Sequence, residues 1–233
     1  MARVKVVLFD LDDTLFRHAE AVAAGVEAHI AAYKLPPRDD ALATWMRLEE
    51  LHYHRYLRGE ISFIDQRVAR MTDFAAGFDI TLETPLDWYD AYLEHYQAAW
   101  TAHSDVSECL DALEPARFGI ITNGELSFQL PKLEAVGLAP RMEHVIASDQ
   151  FGVAKPDPRI FVHACDVFGV APAEAAYVGD RFTTDAMGAA GAGLTGVWVD
   201  RAGRATADER REAAASGVFI VRSLSEVPAV LGA

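Results

Sequence analysis

Cysteine is almost missing from this sequence: Cys109 and Cys165 are the two in 233 residues, and they lie far apart. That excludes a disulfide framework and any cysteine-built metal or redox motif, and reads as small buried side chains in a reducing compartment. Positive charge is also short, with 21 Lys and Arg against 35 Asp and Glu and a formal net charge of −14. Nucleic acid and anionic membranes are therefore not expected partners, and any phosphate ligand would need a local positive site. Long apolar runs are lacking as well. The run at residues 4–9 is too short to span a bilayer and meets acids at once, which fits neither a membrane helix nor a signal peptide. A cytoplasmic protein is expected. There is no internal repeat and no low-complexity linker. With 51% hydrophobic and 24% charged residues, the chain has the composition of a soluble globular protein, long enough for a core domain plus a smaller second one.

What is present begins with Val4-Lys5-Val6-Val7-Leu8-Phe9, followed by Asp10-Leu11-Asp12-Asp13-Thr14-Leu15. A β-branched apolar run of strand length, without alternation, predicts a strand covered on both faces of a parallel sheet. Its acids then sit at the carboxyl end of the strand, the edge where open α/β sheets bind ligands. Carboxylates this close need a cation or a shared proton, and Mg²⁺ is a cation that takes oxygen ligands and accompanies phosphates. A calcium loop is excluded on register: starting that template at Asp10 puts Leu15 where glycine is required and Ala21 where the bidentate glutamate belongs.

Beyond Leu15 the apolar spacing becomes helical. Helices are predicted over residues 16–33, stopped by Leu35-Pro36-Pro37, over 39–57, over 62–78, and from Thr84-Pro85 to Trp100. No strand is predicted in this block, which is large enough to form its own bundle. After a further helix at 104–113, strand and helix alternate. Strands are predicted at 117–121, 144–147, 175–178, 195–199 and 218–221, with helices at 125–136, 159–168 and 182–190 and a charged loop-and-helix stretch at 200–217. This alternation predicts a parallel sheet with helices on both faces. Four strand ends carry polar groups: Asp10 and Asp12; Thr122 and Asn123; the loop bearing Lys155; and Asp180 with Asp185. Parallel strands bring such ends to one edge, where carboxylates with Mg²⁺, a lysine and a hydroxyl suit a phosphoryl group.

Asp10-Leu11-Asp12-Asp13-Thr14, Ile121-Thr122-Asn123-Gly124, Lys155-Pro156-Asp157 and Gly179-Asp180 with Asp185 resemble, in that order, the four motifs of the haloacid dehalogenase superfamily. Any one of them alone can be a turn or a helix cap; the set in order, each at a predicted strand end, is specific. The resemblance implies a Rossmann-like α/β core over residues 1–15 and 104–233, with an all-helical cap inserted at 16–103. It implies Asp10 as the nucleophile that forms an aspartyl-phosphate, and Asp12 as the general acid and base. Thr122 would hold a phosphoryl oxygen with Asn123 adding donors, and Lys155 would pair with both nucleophile and phosphate. Mg²⁺ would be anchored by Asp10, the backbone carbonyl of Asp12, Asp180 and Asp185, with the direct ligand among the last two left open. An acid at position 12 favours phosphoryl transfer over dehalogenation.

The expected function is thus a Mg²⁺-dependent phosphomonoester hydrolase acting on a small cytosolic phosphometabolite. A phosphomutase or phosphotransferase on the same core and a non-catalytic phosphate-binding module are the alternatives. A signalling receiver domain is disfavoured, because it lacks room for the helical block. Neither substrate nor oligomeric state is specified. Within the block, Arg17 and His18 follow the first motif, and His52, His54, Arg55 and Arg58 read as a solvated basic helix face rather than a metal site. Tyr89, Tyr92, Tyr96 and Trp100, at three- and four-residue spacing, read as helical core.

Overall fold

Val6–Phe9 forms the first strand, β1, and all four residues are buried. The computed structural model describes residues 3–232. After β1 come four helices: α1 (His18–Ala32), α2 (Ala41–Leu57), α3 (Phe63–Ala76) and α4 (Pro85–Ala98). The chain continues through α5 (Val106–Ala112), β2 (Arg117–Thr122), α6 (Leu126–Ala135), β3 (His144–Ala147), α7 (Ser148–Phe151), α8 (Pro158–Phe168) and β4 (Ala175–Gly179). A π-helical turn at Phe182–Met187 runs into α9 (Gly188–Gly191), and β5 (Thr195–Val199), α10 (Ala207–Ser216), β6 (Phe219–Val221) and α11 (Val227–Leu231) complete it. The described chain separates into an α/β unit, up to Arg17 and from Thr101 onward, and a helical unit, His18–Trp100. The segments on either side of the helical unit pair with each other: Arg17 N–H donates to Thr101 O (3.0 Å), and His103 N–H to Leu15 O (2.9 Å). Residues 16–17 and 101–103 therefore lie with the α/β unit.

Every strand pairing is parallel, in the order β3-β2-β1-β4-β5-β6. This is the Rossmann-like α/β fold, and its order reverses between β1 and β4, the topological switch point where such sheets bind ligands. The register sets Phe9 beside Ile120 of β2 and Val178 of β4. The next residues, Asp10, Ile121-Thr122 and Gly179-Asp180, consequently leave the sheet at one edge. On one face of the sheet, Val6, Leu8, Ile121 and Tyr177 pack with Ile160, Phe161, Ala164 and Phe168 of α8. On another part of the unit, Phe182, Ala186, Trp198, Ala213 and Val218 form a second cluster. Each large apolar side chain so buried contributes roughly 1.5–3 kcal/mol over leaving it in water. That burial holds the backbone still beneath the polar edge. The ends of α8 are set locally: Asp157 accepts from Arg159 N–H, Pro158 occupies the first turn, and Gly169 closes the helix in the left-handed conformation.

The helical unit is held by aromatics. Trp45 is fully buried, with its ring 4.2 Å from that of Tyr92 and 5.0 Å from that of Phe74. Tyr89, Tyr92 and Tyr96 are buried, and the tyrosine stripe is core. The basic patch divides. His54 and Arg58 are exposed, but His52 is buried and bonds Asp73 of α3 at 2.8 Å, so it is not part of a solvated face. The spacing of α2 could not show this, because the partner lies on another helix. Among the described residues no helix is long and apolar enough to cross a membrane.

Candidate active site

Lys155 is the centre of the polar edge. Its side chain is 2% exposed, and its ammonium donates to Asp10 Oδ1 (2.6 Å), Asp185 Oδ1 (2.8 Å) and Tyr177 Oη (2.6 Å). Burial alone would push the lysine's pKa down, but the carboxylates of Asp10 and Asp185 outweigh it and hold the group above the ordinary lysine range. Tyr177 passes the network on, donating to the carbonyl of Ile121 at 2.9 Å. Burial and the nearby Asp185 and Asp10 raise its phenol pKa well above the usual value, so it stays neutral. The backbone of the lysine loop is fixed by Asn123. Its Oδ1 accepts from Lys155 N–H (2.8 Å) and its Nδ2 donates to Lys155 O (3.0 Å). The Asn123 amide is thus directed at the loop, where sequence reasoning had it adding donors to a phosphate.

One lysine does not neutralise this edge. A carboxylate oxygen of each of Asp10, Asp180 and Asp185 lies within 4.8 Å of the others. Burial first, and then the neighbouring acids Asp10 and Asp185, raise the Asp180 pKa to about 8. Asp10 is raised to about 7, chiefly by burial, with Lys155 opposing. Three carboxylates with so little solvent carry more negative charge than they hold comfortably, which is the condition a bound divalent cation relieves. Oxygen-only donors of this kind fit Mg²⁺. Asp185 is oriented from behind: Arg181 N–H donates to its Oδ2 at 2.9 Å. It also explains the glycine of Gly179-Asp180, since a Cβ at position 179 would sit 2.4 Å from that of Asp185.

Thr122, at the end of β2, is buried, and its Oγ1 accepts from Gly124 N–H (3.0 Å) and Gln129 Nε2 (2.8 Å). With both acceptor positions taken, the hydroxyl proton is left to donate. Asp12 is not in the three-carboxylate cluster. Its Oδ2 accepts from Gln129 Nε2 (2.9 Å) and its Oδ1 from Lys132 Nζ (2.7 Å). Gln129, Lys132 and Tyr177 were not singled out from the sequence. The first two look like ordinary positions of a surface helix, and Tyr177 like a core aromatic. The one available signal was a phenol inside the otherwise small and apolar run Ala175-Ala176-Tyr177-Val178-Gly179, since a buried hydroxyl needs a partner.

Residues 4–193 match the family model described as haloacid dehalogenase-like hydrolase. Over 243 aligned residues the chain is 28% identical to the N-acylneuraminate-9-phosphatase of Mus musculus, covering 99% of this chain and 95% of that one. It is 32% identical over 207 residues to the glyceraldehyde 3-phosphate phosphatase of Methanopyrus kandleri, covering 85% and 84% respectively. Among solved structures, the HAD-hydrolase YfnB from Bacillus subtilis, bound to magnesium, superposes with a TM-score of 0.84 at 18% identity, over 99% of this chain and all of that one (100%). At that identity the likeness is one of fold.

Proposed function

The chain belongs to the haloacid dehalogenase-like hydrolase family, as a hydrolase of the phosphatase type, and from that premise we propose a Mg²⁺-dependent phosphomonoesterase that works through an aspartyl-phosphate. The observation that carries this reading is the Lys155 ammonium shared by Asp10 and Asp185 beside Asp180. Asp10, Asp180, Asp185 and the backbone carbonyl of Asp12 would hold the metal. When bound, Mg²⁺ supplies positive charge against the phosphoryl oxygens and the nucleophile's repulsion from them.

The chain's own groups divide the chemistry. Lys155 holds Asp10 by one oxygen, which directs the other at phosphorus. As Asp10 forms its bond to phosphorus, the bond to the leaving oxygen breaks, and Asp12 gives that oxygen its proton. Water then attacks the aspartyl-phosphate, Asp12 takes its proton, and the bond from Asp10 to phosphorus breaks to release inorganic phosphate. The hydroxyl of Thr122 donates to a phosphoryl oxygen, and in this reading Lys155 adds its positive charge to the same site. Asn123 acts by fixing the Lys155 backbone. Tyr177 stays neutral and orients the ammonium.

The substrate is a small phosphorylated metabolite, met in the cytoplasm. Choice among such compounds is assigned in this reading to the helical block inserted after β1, as a cap. Relatives named for N-acylneuraminate 9-phosphate and glyceraldehyde 3-phosphate supply the first compounds to try. The test is phosphate release from a panel holding these two, other sugar phosphates, nucleoside monophosphates and an aryl phosphate, with Mg²⁺ and with EDTA. Metal-dependent release, lost in Asp10→Asn with the fold kept, is the expected result. Release that survives EDTA, or an active Asp10→Asn, would overturn it.

A further inference from the structure

We propose that Gln129 and Lys132 of α6 are positioning residues for proton transfer by Asp12, and that Gln129 ties this carboxyl to the phosphate-holding Thr122. The inference rests on the phosphatase reading above. Its starting observation is burial. Gln129 and Lys132 are 1% and 2% exposed, on a helix whose neighbouring Leu130 is 40% exposed. At three residues apart they share one helix face. An ammonium buried to this degree is costly unless it is paired. Lys132 stands over the rings of Phe16 and Phe128, at 5.1 and 5.0 Å from their centroids, and its Nζ is 2.7 Å from Asp12 Oδ1.

Gln129 has a bridging role. Its Nε2 carries two hydrogens and has two acceptors in reach, Asp12 Oδ2 at 2.9 Å and Thr122 Oγ1 at 2.8 Å. With Asp12 ionised, its carboxylate only accepts and faces the NH₂ group, while Gln129 Oε1 is buried with no hydrogen-bond partner among the described residues. The space it occupies was cleared: a Cβ on Gly124 would lie 2.4 Å from that nitrogen. A side chain at position 124 would require Gln129 to move. One side chain thereby sets the distance between the group that moves the proton and the group that grips the phosphoryl oxygen. A carboxylate has about four acceptor positions. Two bonds to α6 fix the plane of Asp12.

A purely structural role would give Lys132 a partner and nothing more, and the two cases separate by leaving group. Proton donation matters most when the departing oxygen is strongly basic. Phenyl phosphate and p-nitrophenyl phosphate match closely in shape but differ in that basicity. The experiment measures kcat/KM, which reports steps through departure of the alcohol, for both compounds with Mg²⁺ in wild type, Gln129→Met, Lys132→Met and Asp12→Asn. Methionine keeps the volume and suits the two rings. The Asp12 side chain is 31% exposed, so loss of its partner does not strand a buried charge. Both methionine variants are expected to lose about 10- to 100-fold on phenyl phosphate and less than about 3-fold on p-nitrophenyl phosphate, with Asp12→Asn showing the same asymmetry more strongly. Lys132→Arg, which restores charge and donors, should recover much of the phenyl phosphate rate. Equal losses on the two compounds, or none, would overturn the positioning role while leaving the phosphatase reading intact. Wild-type enzyme inert toward both would overturn that reading, and the inference with it.

Discussion

Lys155 in the α/β unit and Arg70 in the helical unit are both buried cations, and their surroundings are charged very differently. Arg70 bonds one carboxylate, Glu49, at 2.5 Å and one neutral amide, Gln66, at 2.5 Å, while its guanidinium lies over the rings of Trp45 and Tyr89. One positive charge meets one negative charge, and the remaining contacts are a neutral amide and aromatic rings. Lys155 meets two carboxylates, with Asp180 close by as a third. The first arrangement is balanced in charge. The second keeps an excess of negative charge at the end of a parallel sheet, with Lys155 bonded to two of the three acids and Arg181 acting on Asp180. Burial of a cation therefore does not by itself mark a functional site; the imbalance around it does.

The largest effect expected from disturbing this contrast is on turnover. Asp10→Asn should lower kcat by about 10⁴-fold or more, as for loss of a covalent nucleophile, with an unchanged circular dichroism spectrum. Removing the balanced cation should do something else. Arg70→Met leaves Glu49 without its partner and is expected to cost about 2–4 kcal/mol in urea unfolding, at the lower end because Glu49 is partly exposed. The thermal response to Mg²⁺ should survive in that variant.

Metal and pH sharpen the comparison further. In the folded state Asp10 and Asp180 have pKa values raised from 3.8 to about 7 and about 8, so the unfolded chain holds fewer protons than the native one above pH 3.8. Through these two groups, stability with EDTA is expected to fall as pH rises from about 4 toward about 8. Mg²⁺ binding to the native state alone should offset part of this, adding about 2.7 kcal/mol at a hundredfold excess over its dissociation constant. Asp180→Asn should be more stable than wild type in EDTA near neutral pH and should respond less to Mg²⁺. Thermal melts across pH, with and without metal, check all three statements.

A smaller effect of opposite sign is expected in the helical unit. His29 is 1% exposed among Tyr33, Trp88 and Tyr92, neither ring nitrogen has a partner, and burial followed by His95 lowers its pKa from 6.5 to about 4. Its contribution is complete above pH 6.5 and is lost as pH falls toward about 4. His29→Phe should flatten that part of the acid limb in a melt series. An unchanged limb would show that His29 is not what titrates there.

The residues by themselves determined the plan of the α/β unit. The β-branched runs, the helical spacing between them and the polar groups after β1, β2 and β4 are all local patterns, and parallel pairing converts such patterns into one edge without further information. The tyrosine stripe of α4 was legible for the same reason, since its period is that of the helix that buries it. The tertiary structure decided whatever depends on a partner far along the chain. Asn123 brackets the backbone of Lys155, and His52 is buried against Asp73. Tyr177 orients Lys155, and Gln129 and Lys132 hold Asp12 across 117 and 120 residues of sequence. No spacing rule reaches that far. A side chain's donors and acceptors are fixed by its chemistry, but which groups satisfy them is fixed only when the sheet and its helices bring them within hydrogen-bonding distance.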